Sequence, residues 1–123
     1  MTFIGAFISG CSGPVLSTAE RDFFARTNPW GLILFKRNCE TPEQLKRLTS
    51  DFRDAVGRKT APVFIDQEGG RVQRLGPPSN AWRRYPAARA YGEAFNASAL
   101  AGLRAARNVG RLMAEDLIAA GIT

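Results

Sequence analysis

Three short apolar runs mark the chain, and a stretch with helical spacing of its apolar residues follows each. Phe3-Ile4-Gly5-Ala6-Phe7-Ile8 ends in Ser9-Gly10 and then Gly13-Pro14, the pattern of a buried strand and its exit loop. Ser17 stands three residues before Glu20, a capping-box spacing, so a helix is expected from there with Phe23 and Phe24 turned inward and Asn28-Pro29 closing it. Trp30-Gly31-Leu32-Ile33-Leu34-Phe35 is a second continuous run, of the kind a parallel sheet covers on both faces. Thr41-Pro42-Glu43-Gln44 then supplies an N-cap, a proline at the first helical position and a capping-box glutamine. Leu45, Leu48, Phe52 and Val56 follow at helical spacing, and Gly57 is placed to end the helix in a left-handed conformation.

Pro62-Val63-Phe64-Ile65-Asp66 is the third strand, and it runs into Gln67-Glu68-Gly69-Gly70-Arg71. An irregular stretch from Leu75 to Pro86 carries three prolines, and loops of that length inside a domain are usually functional. A last helix, capped by Asn96 or Ser98, sets Leu100, Leu103, Met113 and Leu117 on or near one face and stops at Gly121. Strands alternating with helices predict an α/β fold of parallel strands joined by right-handed crossovers, either a barrel or a doubly wound sheet. A complete (β/α)8 barrel takes about 250 residues. On the barrel reading, the 123 residues therefore supply about three β/α units, the N-terminal portion of a truncated barrel domain spanning 1–123.

Composition narrows this little. With 45% hydrophobic and 23% charged residues the chain is that of a soluble globular domain. The net charge of +6 comes from 14 arginines and 3 lysines against 11 acids, scattered instead of blocked, so a nucleic-acid surface is the lesser alternative. Cys11 and Cys39 have no CxxC spacing and no histidine to share a metal, which favours buried thiols and no cofactor. The first apolar run is too short for a membrane span, and although Ile8-Ser9-Gly10-Cys11 is similar to an acylation box, no basic segment precedes it.

In parallel α/β folds ligands lie at the carboxyl ends of the strands. Two such ends are polar here: Arg37-Asn38 after the second strand, and Asp66-Gln67-Glu68 with Arg71 and Arg74 after the third. Gly69-Gly70 would let the backbone turn sharply and approach a ligand closely. From spacing alone Asp66 reads as readily as a cap or the partner of a nearby arginine as it does as a ligand. Trp82 and Tyr85 could stack on a sugar or simply pack their loop down.

The run Ile65-Asp66-Gln67-Glu68-Gly69-Gly70-Arg71-Val72-Gln73-Arg74 resembles the signature of family 3 glycoside hydrolases, specifically the bacterial β-N-acetylhexosaminidases of cell-wall recycling. Gly31-Leu32-Ile33-Leu34-Phe35 with Arg37-Asn38 is similar to the preceding barrel strand of that family, and Ala119-Ala120-Gly121-Ile122 to the segment before its next strand. The β-glucosidase branch generally differs at this strand end.

The resemblance implies a retaining cytoplasmic enzyme that removes terminal β-linked N-acetylglucosamine from muropeptides. It assigns sugar hydroxyls to Asp66, a substrate contact to Arg74, and loop support to Glu68, Gly69, Gly70 and Arg71. The family's nucleophile is an aspartate of a late strand and its acid/base a histidine, neither matched here, so no catalytic residue is expected within this chain. The parent is expected to be monomeric, and three units with open apolar edges to self-associate. A small non-catalytic module that holds a sugar or an anion is the alternative.

Overall fold

A computed structural model describes residues 3–123; the first two residues of the 1–123 span lie outside it. The strands β1 (Gly5–Ser9), β2 (Pro29–Leu34) and β3 (Val63–Ile65) form one parallel sheet in the order β1-β2-β3. The helices α1 (Thr18–Thr27) and α2 (Pro42–Ala55) make the two crossovers, and a short 3-10 turn, Lys36–Asn38, leads out of β2.

Local chemistry explains the helix ends. Ser17 accepts from the Glu20 amide while the Glu20 carboxylate accepts from the Ser17 amide, the reciprocal box the spacing predicts. The other Glu20 oxygen accepts from the Ser12 amide at 2.7 Å, which ties the β1 exit loop to the start of α1. Burial alone would raise the Glu20 carboxyl, but these hydrogen bonds from Ser17 and Ser12 bring it down to about 2. Asn28 ends α1 at φ 41°, a left-handed position that asparagine tolerates better than most side chains. In α2 the Thr41 hydroxyl caps the Gln44 amide, and Gly57 takes φ +64° beyond the helix. Gln44 departs from a capping box: its Oε1 accepts from the Glu40 amide, and its Nε2 donates to the Pro14 and Asn38 carbonyls.

The core lies between the sheet and these helices. Leu32, Leu34 and Val63 are fully buried there with Phe24, Leu45, Leu48 and Phe52, and the Phe24 and Phe52 rings meet edge to face at 5.3 Å. Burying side chains of this size contributes about 1.5–3 kcal/mol each. Phe23 departs from expectation. One residue along a helix turns the side chain by about 100°, so Phe24 alone enters the core and Phe23 stays 38% exposed.

Along β1 and the start of β2, Ile4, Phe7, Ile8 and Trp30 are each 41–49% exposed and border one apolar surface.

Three elements were not expected from the sequence. Gln67–Gly69 (β4) and Val72–Gln73 (β5) pair antiparallel as a hairpin, which places the sharp turn at Gly69 (φ +90°) and Gly70 (φ +60°). A helix α3 (Ala88–Ala97) precedes α4 (Ala99–Ala119) and packs against it. It lacks a side-chain cap and buries no residue, so no capping signal marks its start. Ser98, not Asn96, caps α4, and the two helices close together because Gly102 lies against the Phe95 backbone, where a Cβ would sit 2.4 Å from the Phe95 Cα. Of the α4 residues expected on one inward face, Leu117 packs on the core and Met113 is half-buried, but Leu100 and Leu103 are about 60% exposed.

After α4 the chain turns at Gly121 (φ +79°), and Thr123 donates its amide to the Val63 carbonyl. That contact lies on the open side of β3, where a fourth parallel strand would pair.

Candidate sugar-binding site

The carboxyl ends of β1, β2 and β3 converge on three polar segments. Asn38 is fully buried between the first two: its Nδ2 donates to the Cys11 and Gly13 carbonyls, and its Oδ1 accepts from the Phe35 amide. Arg37 lies over the Phe35 ring at 4.7 Å and donates from Nε to the Cys11 carbonyl. Arg37-Asn38 therefore divides its roles, with asparagine locking two loops together and arginine remaining exposed. Cys11 and Cys39 are both buried, and desolvation pushes each thiol up to about 11.

Asp66 follows β3 directly, half exposed, and its Oδ2 accepts from Arg74 Nη2 at 3.3 Å. Of the readings open to Asp66, the one the structure shows is the pair with a neighbouring arginine, at an exposed strand end. The Arg74 Nε–H is buried and finds no partner among the described residues. An orphaned donor of this kind costs about 1–3 kcal/mol unless an acceptor meets it.

The loop that carries Arg74 is held by amide side chains. Gln67 Oε1 accepts from the Arg74 and Leu75 amides, each at 3.0 Å, and Gln67 Nε2 donates to the Leu75 carbonyl. Gln73 accepts from the Tyr85 amide and donates to the Leu75 and Arg83 carbonyls. From the turn after β2, Lys36 Nζ donates to the carbonyls of Arg74 (3.0 Å) and Gly76 (2.9 Å).

Gln67, Gln73 and Lys36 were not singled out in the sequence, because a glutamine inside a motif carries no period or spacing that announces its partners. Glu68 and Arg71, expected to support the loop, are exposed and make no side-chain hydrogen bond or ion pair among the described residues. Strand alternation accounts for Glu68, since Gln67 and Gly69 turn toward the protein and the residue between them turns out. The close approach at the paired glycines is to the chain itself: Gly70 donates to the Tyr85 carbonyl at 2.8 Å, and a Cβ at Gly69 would lie 2.3 Å from the Pro86 carbonyl oxygen.

Trp82 and Tyr85 are 7% and 6% exposed, so they pack the long loop down instead of offering a stacking surface. The Tyr85 hydroxyl donates to one Asp116 oxygen while Arg83 pairs with the other, which fastens the loop to α4.

Among the described residues no three potential metal ligands gather, and no helix is long and apolar enough to cross a membrane.

Comparison with known proteins identifies the family. Residues 15–123 match the family described as glycosyl hydrolase family 3 N terminal domain. A beta-hexosaminidase of Methylococcus capsulatus is 42% identical over 110 residues, covering 89% of this chain and 30% of that protein. One from Alkalilimnicola ehrlichii is 34% identical over 119 residues, covering 97% and 33%. Among solved structures, NagZ from Neisseria gonorrhoeae, crystallised in complex with N-trifluoroacetyl-D-glucosamine, superposes with a TM-score of 0.87 at 33% identity, covering 97% of this chain and 35% of that one. A family 3 beta-N-acetylglucosaminidase from Paenibacillus gives 0.77 at 26% identity, covering 95% and 21%.

The chain thus spans about a third of the length of the curated relatives it matches. The likeness also decides between the two architectures the sequence left open, in favour of three β/α units of a (β/α)8-type barrel. On the family match, the curated relatives and the fold together, this chain belongs to glycosyl hydrolase family 3, within its N-terminal domain.

Proposed function

We propose that this chain is the sugar-holding part of a retaining β-N-acetylhexosaminidase that removes terminal β-linked N-acetylglucosamine from cytoplasmic muropeptides. The observation that carries the reading is the Asp66–Arg74 pair at the end of β3, with the Arg74 Nε–H buried and unmatched. A half-exposed carboxylate accepts two hydrogen bonds from vicinal hydroxyls, and an arginine presents donors in a fixed fork. Together they suit the alternating oxygens of a sugar ring. The relatives named beta-hexosaminidase, and a structural neighbour crystallised with a glucosamine derivative, support N-acetylglucosamine as that sugar.

The same reading separates binding from bond cleavage. Retaining hydrolysis needs a nucleophile and an acid/base on opposite sides of the scissile bond, with carboxyl groups about 5–5.5 Å apart when both are carboxylates. Asp66 is engaged by Arg74, and Glu68 lies two residues on along the same hairpin arm with its side chain turned outward. The chain contains no histidine. On this reading, as the family resemblance implies, the roles of nucleophile and acid/base fall to residues outside these 123.

Incubation with a chromogenic β-N-acetylglucosaminide tests this division. No turnover above background is expected from the 123-residue chain, and turnover abolished by Asp66→Ala would overturn it.

A further inference from the structure

We infer that Lys36 is a positioning residue for the sugar site, acting through Arg74; the inference rests on the functional reading above. Arg74 is fixed along its own hairpin by Gln67, which accepts from its amide, but that bond moves with the hairpin and says nothing about where the hairpin sits. Lys36 is different. It leaves the end of β2 and donates to the carbonyls of Arg74 and Gly76, residues 38 and 40 positions further along the chain.

Its ammonium makes no ion pair with a carboxylate among the described residues, so the carbonyl oxygens are the partners that hold its charge. A half-buried cation satisfied in this way costs desolvation, which the two charge-assisted bonds offset. The loop end thereby acquires one fixed height over the sheet. The Arg74 guanidinium stays within reach of Asp66 Oδ2, and its Nε–H stays buried. Both lysine bonds end on main-chain carbonyls of the loop, so Lys36 acts on the site through the position of the loop.

Two measurements on the 123-residue chain test this. The first needs no ligand. In Lys36→Met, which keeps the aliphatic stem and removes the donors, amide hydrogen exchange at Arg74 and Leu75 should rise about tenfold or more, while the Leu32 amide, bonded to the Pro62 carbonyl, keeps its rate. Lys36→Arg, which restores donors, should recover most of the protection. The second is a double-mutant cycle on N-acetylglucosamine affinity followed by amide shifts. Lys36→Met should weaken binding about tenfold, yet add nothing further in an Arg74→Ala background.

Unchanged loop exchange in Lys36→Met, or losses that simply add, would overturn the role of Lys36. Failure of the unmodified chain to bind N-acetylglucosamine would instead sink the functional reading, and the exchange experiment would still decide whether Lys36 holds the loop. Should Lys36→Met fail to fold, Lys36→Gln is put through the same two measurements, with the same results deciding.

Discussion

Gly69 shows how a single residue in the motif acquires its meaning. In sequence the Gly69-Gly70 pair could serve a ligand or a turn. In the fold it holds φ +90° with the Pro86 carbonyl where a Cβ would be. Gly69→Ala should therefore cost about 1–3 kcal/mol or more from the backbone alone, read as a lower midpoint in urea unfolding with unchanged slope. Cys11 and Cys39 carry a second expectation at this scale. Burial raises both thiols to about 11, so at pH 8 an aromatic disulfide reagent should react slowly with the native chain and rapidly with both cysteines once urea is added. The burial of the two thiols was legible from their isolation in the sequence. The ties through Gln67, Gln73 and Lys36 were not, because each joins positions whose proximity only the tertiary fold creates.

Among the elements, the three sheet strands and the two crossover helices were readable because punctuation and periodicity agree there, and Ser17 with Glu20 is the clearest instance. The Glu20 carboxyl sits near 2 in the folded chain against an ordinary value of 4.5. A depressed acid contributes stability that is complete above its unfolded value and is lost as pH falls from about 4.5 through about 2. Glu20→Gln should accordingly lower stability at neutral pH by about 1 kcal/mol, allowing for solvent screening, and flatten the decline in that acid window. Chemical denaturation at several pH values checks both. The hairpin and α3 escaped sequence reasoning for opposite reasons. A glycine pair between polar residues has no alternation to mark two- and three-residue strands, and α3 has neither cap nor buried face. Its order comes from α4, so its presence is a tertiary effect. Leu100 and Leu103 teach the same lesson in reverse, since their spacing is helical but no neighbour among the described residues covers them.

At the scale of the whole molecule, Ile4, Phe7, Ile8 and Trp30 leave an exposed apolar patch along β1 and the start of β2. Patches of this kind drive association, so the isolated 123-residue chain should sediment as dimers or larger species at micromolar concentration, and a monomer throughout would contradict that expectation. The strand-end site depends less on this patch, because its ties run among the loops after β1, β2 and β3. Family membership was legible from the ten residues Ile65 to Arg74, while the geometry added that Asp66 and Arg74 are already paired and that one arginine donor is unmatched among the described residues. The central claim is that this pair holds the sugar. Titration of N-acetylglucosamine into the 123-residue chain, followed by amide shifts, tests it most directly. Saturable shifts confined to residues 66–76 and lost in Asp66→Ala, with the remaining spectrum unchanged, are predicted; binding that Asp66→Ala leaves intact would contradict the account.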